Sequence, residues 1–140
     1  MGLLPYLHPL WQAGALALAI WALAMGLRMR GLRRRGTWSA RAALVDRHAR
    51  IGLAFVATLV VGLAAGPLIL ALARGEPALS SGHAFFAALT LAPLLPGAVL
   101  GWRLWRGRAR PDDRDLHAFC MGVGLFLGII TGMLGLGLLP

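Results

Sequence analysis

From Leu116 to Pro140 the chain reads LHAFCMGVGLFLGIITGMLGLGLLP, with no charged side chain and a single histidine, His117, near its start. A neutral run of this length meets the roughly 20 apolar residues that a helix needs to cross about 30 Å of hydrocarbon. An ionisable group set inside such a run is costly to bury and marks a functional position. Cutting the rest of the chain at its charged residues leaves three more neutral runs, Met1–Leu27, Ile51–Ala73 and Pro77–Trp102. The whole is 59% hydrophobic and 14% charged, too little charge for a soluble domain. Lipid admits only helices or closed barrels, and no period-two alternation supports a barrel. The reading is an all-α, integral membrane, up-down four-helix bundle. Its helices fall at about 6–28, 46–73, 82–103 and 113–138, in one transmembrane domain spanning 1–140.

The first run has no basic residues before it and a long apolar stretch, so it reads as a retained helix rather than a signal peptide. Candidate caps for the third helix are Ser80 and Ser81. Two prolines within it, Pro93 and Pro96, should kink it and leave the carbonyls of Leu89 and Ala92 without their usual donors.

Charge sets the expected topology. All fourteen basic residues are arginine: eight lie between Arg28 and Arg50, five between Arg103 and Arg114, and Arg74 stands alone. The positive-inside rule then puts the first and third connections in the cytoplasm, and both termini on the periplasmic side of a bacterial inner membrane. The net charge of +9 is thus a topology signal rather than a mark of nucleic-acid binding. Trp11, Trp102 and Trp105 fall at the interfacial belts. Asp46, Glu76, Asp112, Asp113 and Asp115 read as caps or loop charges. The single cysteine, Cys120, excludes a disulfide within the chain, and the absence of CxxCH excludes covalent haem attachment.

The four histidines, His8, His48, His83 and His117, are distributed one per helix, each about a turn inside its helix's N-terminal end. Successive helices run in opposite directions. His8 and His83 therefore share the periplasmic side, and His48 and His117 the cytoplasmic side, in each case on diagonal helices of a simple bundle. Two facing histidines are too few for a zinc site. They suit a b-type haem, which takes four nitrogens from its porphyrin and two axial ligands from the protein.

A second pattern accompanies them. Eighteen residues make five helical turns, so position i+18 returns to the same face roughly 27 Å further on. Eighteen past the four histidines in chain order stand Gly26, Gly66, Gly101 and Gly135. Glycine lets a bulky planar group approach the backbone, and these four are read as clearance for the haem at the opposite depth. Gly124, Gly128 and Gly132 serve equally well as a packing ridge. Arg47, Arg50 and Arg114 flank the cytoplasmic pair as candidates to neutralise haem propionates or simply as membrane anchors.

With these residues in place, the chain resembles the cytochrome b561 family and its four-helix bacterial relatives of unassigned function. "LHPLW" at 7–11, "DRHARIG" at 46–52, "SGHAFFAALT" at 81–90 and "DLHAFCMGVGLFLGIITGMLG" at 115–135 resemble the family's four ligand segments in order. The resemblance implies two non-covalent b haems, one on His8 and His83 and the other on His48 and His117. It also implies electron transfer between the membrane faces with a redox partner protein or the quinone pool. No lysine-rich ascorbate pocket is recognisable. The rival readings are a haem-free structural subunit that packs in a larger membrane complex and, third, a transporter with its third helix broken at Pro93–Pro96.

Overall fold

The computed structural model describes residues 4–37, 42–74 and 81–137. Four helices follow one another: α1 (Leu4–Arg34), α2 (Ala42–Arg74), α3 (Gly82–Trp105) and α4 (Asp113–Leu136). All four are long and apolar enough to cross a membrane, and the described residues hold no strand. The fold is the expected all-α, four-helix bundle. Trp38, Gly75, Glu76, Pro77 and Ser80 lie outside the described residues.

The helix ends differ from expectation where arginines are involved. α1 continues past Arg28 through a segment rich in arginine, leucine and methionine, all good helix formers. It stops at Gly36, which takes a φ of +67°. The Gly36 amide donates to the Arg33 carbonyl and the Thr37 amide to the Leu32 carbonyl, the paired bonds of a Schellman ending. α3 ends the same way. Gly107, also at +67°, donates to Leu104, and Arg108 donates to Arg103.

α2 starts at Ala42, so Asp46 is not its cap; it lies inside the helix and pairs with Arg50 one turn on, at 2.8 Å. Ser81 does cap α3, its hydroxyl accepting from the Ala84 amide. Asp113 is more than a loop charge. It is buried, accepts from the Arg110 amide at 2.9 Å and faces Arg103 at 3.8 Å, which ties the α3–α4 turn to the helix it starts.

Proline does not break the bundle. α3 is unbroken through Pro93 and Pro96, and α2 likewise through Pro67. The discontinuous third helix that a transport reading requires is therefore absent.

The helices form two antiparallel hairpins, α1 with α2 and α3 with α4, the second packed more closely. The hairpins meet mainly through α2 and α3 and only slightly through α1 and α4, while the backbones of the diagonal helices stay apart. Ala15, Ala19, Phe55 and Leu94 form a small core between the hairpins. The buried positions are mostly small, whereas Trp21, Phe85, Phe119 and Phe126 point outward. That distribution suits lipid, where association depends on close packing rather than on hiding apolar surface. Polar bonds add to it. Trp11, expected only as a belt residue, donates from Nε1 to the Thr58 carbonyl at 2.8 Å and staples α1 to α2. The hydroxyls of Thr90 and Thr131 meet at 3.2 Å between α3 and α4.

The ridge on α4 acts in packing at two of its three glycines. Leu94, 2% exposed, sits in the notch left by Gly124, and Thr90 lies against Gly128, while Gly132 faces open space. A methyl at Gly124 would collide with the branched end of Leu94, which has nowhere to go. Gly124→Ala should therefore cost about 1–3 kcal/mol. Gly122→Ala, with nothing within 4 Å, should cost nothing measurable. Thermal unfolding of both variants in detergent checks the contrast.

Candidate paired-histidine site

The four histidines sit at 8, 48, 83 and 117, each within about a turn or two of the start of its helix and each half-buried. Their rings pair across the diagonals of the bundle. The His8 and His83 ring centres are 6.1 Å apart with planes at 89°, and those of His48 and His117 are 6.2 Å apart at 85°. The two pairs expected from chain direction are thus brought together, one toward each end of the bundle.

Each ring is held by the antiparallel neighbour in its own hairpin. A Cβ built on Gly66 would lie 2.8 Å from His8 Cε1, one on Gly101 2.8 Å from His117 Cε1, and one on Gly135 2.9 Å from His83 Cε1. Gly26 faces His48 more loosely, at 3.5 Å. The i+18 glycines are therefore seats for imidazole edges: the space each one opens is occupied by a histidine of the next helix. His8 and Gly66 exchange places with Gly26 and His48 across one hairpin, and His83 and Gly135 with Gly101 and His117 across the other.

A backbone carbonyl completes three of the four seats. His48 Nδ1 bonds to the Ala22 carbonyl at 3.0 Å, His83 Nδ1 to Thr131 at 2.9 Å and His117 Nδ1 to Gly97 at 2.8 Å. Each acceptor stands one turn before the seating glycine, where the missing side chain leaves the second carbonyl lone pair accessible. A carbonyl can only accept, so Nδ1 carries the proton and Nε2 keeps its lone pair for a ligand role. For His8 the equivalent carbonyl is Gly62. It lies near the ring but outside hydrogen-bond geometry, and His8 Nδ1 is left buried without a partner.

The spacing of the pairs fits one metal atom between two imidazoles. Two metal–nitrogen bonds of about 2.0 Å, with roughly 1.1 Å from each nitrogen to its ring centre, put the centres about 6.2 Å apart. Among the described residues no group of three or more His, Cys, Asp or Glu side chains is placed to hold a metal ion. The remaining ligands would have to come from the cofactor, as they do in haem. Arg47, Arg50 and Arg114 are exposed at the His48–His117 end, and Arg50 is engaged with Asp46.

Sequence reasoning missed the carbonyls, because a backbone acceptor has no residue signature. Their positions are nonetheless regular: Ala22, Gly62, Gly97 and Thr131 each stand fourteen residues after the histidine of their own helix. Comparison with protein-family models, with curated proteins and with solved structures finds no match to this chain.

The unequal seats give a ranked expectation. Gly66→Ala, Gly101→Ala and Gly135→Ala must each push an imidazole aside, at a cost of about 1–3 kcal/mol. Gly26→Ala makes ordinary contact and should be tolerated. Unfolding midpoints of the four variants would separate three from one; equal losses at all four would remove the seating account.

Proposed function

We propose that the chain is a b-type dihaem cytochrome of a bacterial inner membrane that passes electrons between the two faces. The observation that supports this best is the pair of imidazole couples, each with its centres about 6 Å apart, on helices whose backbones stay well apart. The diagonals are where a flat macrocycle would lie. Its axial ligands would be His8 with His83 at one depth and His48 with His117 at the other.

The haem supplies the reversible one-electron chemistry, and the protein's part is to hold, orient and tune it. His48, His83 and His117 present a fixed tautomer, because their Nδ1 protons are committed to carbonyls. That bond also raises ligand basicity. The arginine distribution directs the His48–His117 site to the cytoplasm and the His8–His83 site, with both termini, to the periplasm. Arg47, Arg50 and Arg114 then stand where propionates of the cytoplasmic haem would emerge. Short connections imply a redox partner protein or the quinone pool at each face. The sequence resemblance to the cytochrome b561 family agrees with this assignment.

The rival account, a haem-free packing subunit, draws on one observation. A methyl added at Gly14, Gly122 or Gly132 would meet nothing within 4 Å, so these positions offer small-residue surfaces to another helix. Haem content distinguishes the two. In protein purified in mild detergent with haem supplied during expression, the double variant His8→Ala/His83→Ala should remove one haem of two. The double variant His48→Ala/His117→Ala should remove the other. Full-length protein that folds and carries no haem would leave the packing subunit as the better account.

A further inference from the structure

Resting on the dihaem reading, the two sites are unequal, and the inequality lies at His8. Three imidazoles are fixed by an Nδ1 hydrogen bond to a carbonyl; the fourth is not. Loss of such a bond typically weakens a metal–histidine bond by about 10–100-fold. His8 also stands on the helix with the slightest packing, since α1 belongs to the looser hairpin and barely touches α4.

A second feature points to what could replace it. Gln12 is one turn further along α1 on the same face, half-buried, with its amide laid over Gly62. Among the described residues this amide makes no hydrogen bond to the protein. It is an uncommitted donor a turn from the weakest ligand, and such donors decide whether a haem accepts small ligands. The corresponding positions, four after each of the other histidines, are Gly52, Ala87 and Met121, none with a side-chain N–H or O–H.

We propose that the His8–His83 site is a ligand-exchange site for a small neutral diatomic molecule, in which the ligand displaces His8 and accepts a hydrogen bond from Gln12. His83 stays bound, held by the Thr131 carbonyl. Such an exchange would release the His8 imidazole, neutral, from a ferrous haem and put the neutral diatomic in its place, so that no electron or proton is transferred. The His48–His117 site, both of whose ligands are tethered, stays closed.

Carbon monoxide added to the dithionite-reduced, haem-loaded protein tests this. One haem per chain should bind. The double variant His48→Ala/His117→Ala, which keeps only the outer haem, should bind carbon monoxide with an affinity about 10–100-fold above that of His8→Ala/His83→Ala. Gln12→Leu should keep the carbon monoxide but raise the C–O stretching frequency, a shift that a merely structural role for Gln12 would not produce. Binding by neither haem, or binding at the His48–His117 haem, overturns the proposal while leaving the dihaem reading intact. A protein without haem is recognised before the gas is added, and defeats both.

Discussion

The contact on which the rest of this structure depends is the seating of an imidazole edge against a glycine of the antiparallel helix. It fixes three things together. The register of each hairpin follows, because a histidine near the start of one helix must meet a glycine of the other that stands eighteen residues past that helix's own histidine. The ring's orientation follows at His48, His83 and His117, because the carbonyl one turn from the glycine accepts a hydrogen bond from Nδ1. The depth of each pair follows, because both hairpins use the same eighteen-residue offset and so bring their histidines to common levels. Within a hairpin the arrangement is reciprocal, and the second hairpin repeats the first.

What the contact leaves open is equally important. With each histidine gripped from the side by its hairpin partner, its far edge is free to face the other hairpin. The diagonal backbones stay apart, and the core that joins the hairpins centres on Leu94, Phe55 and two alanines. Close packing between α3 and α4, through Leu94 in the Gly124 notch and the Thr90–Thr131 contact, makes this hairpin the firmer half. The looser α1–α2 hairpin carries the one imidazole without a tether.

Four neutral runs and one-sided arginines make the fold legible from sequence, since hydrocarbon thickness and backbone satisfaction leave few alternatives. The pairing of histidines is legible too, because antiparallel order alone assigns sides. Helix ends are less so. The first arginine, Arg28, ends the neutral run, yet the helix continues through Arg30, Arg33 and Arg34 until Gly36 supplies a positive φ. Asp46 precedes the apolar run as a cap would, yet its partner is Arg50 within the helix. The i+18 glycines stand out for their periodicity, which suggests a cofactor against them; the group that fills each space is a histidine ring. Sequence spacing shows which face a residue shares, not which of two flat rings lies against it. The carbonyls at Ala22, Gly97 and Thr131 belong to the backbone, and no side chain announces them.

The perpendicular arrangement of both ring pairs, 89° and 85°, is the most specific feature of the proposed haem sites. Two axial imidazoles crossed at right angles leave a low-spin ferric haem with a strongly anisotropic electron paramagnetic resonance signal, whereas parallel rings give a rhombic one. The measurement is therefore a low-temperature spectrum of the air-oxidised protein in mild detergent, integrated against chain concentration. Two strongly anisotropic low-spin signals are expected, each close to one spin per chain. Absence of any low-spin haem signal would contradict the dihaem account, whereas rhombic signals would keep the haems and overturn the crossed arrangement of their ligands.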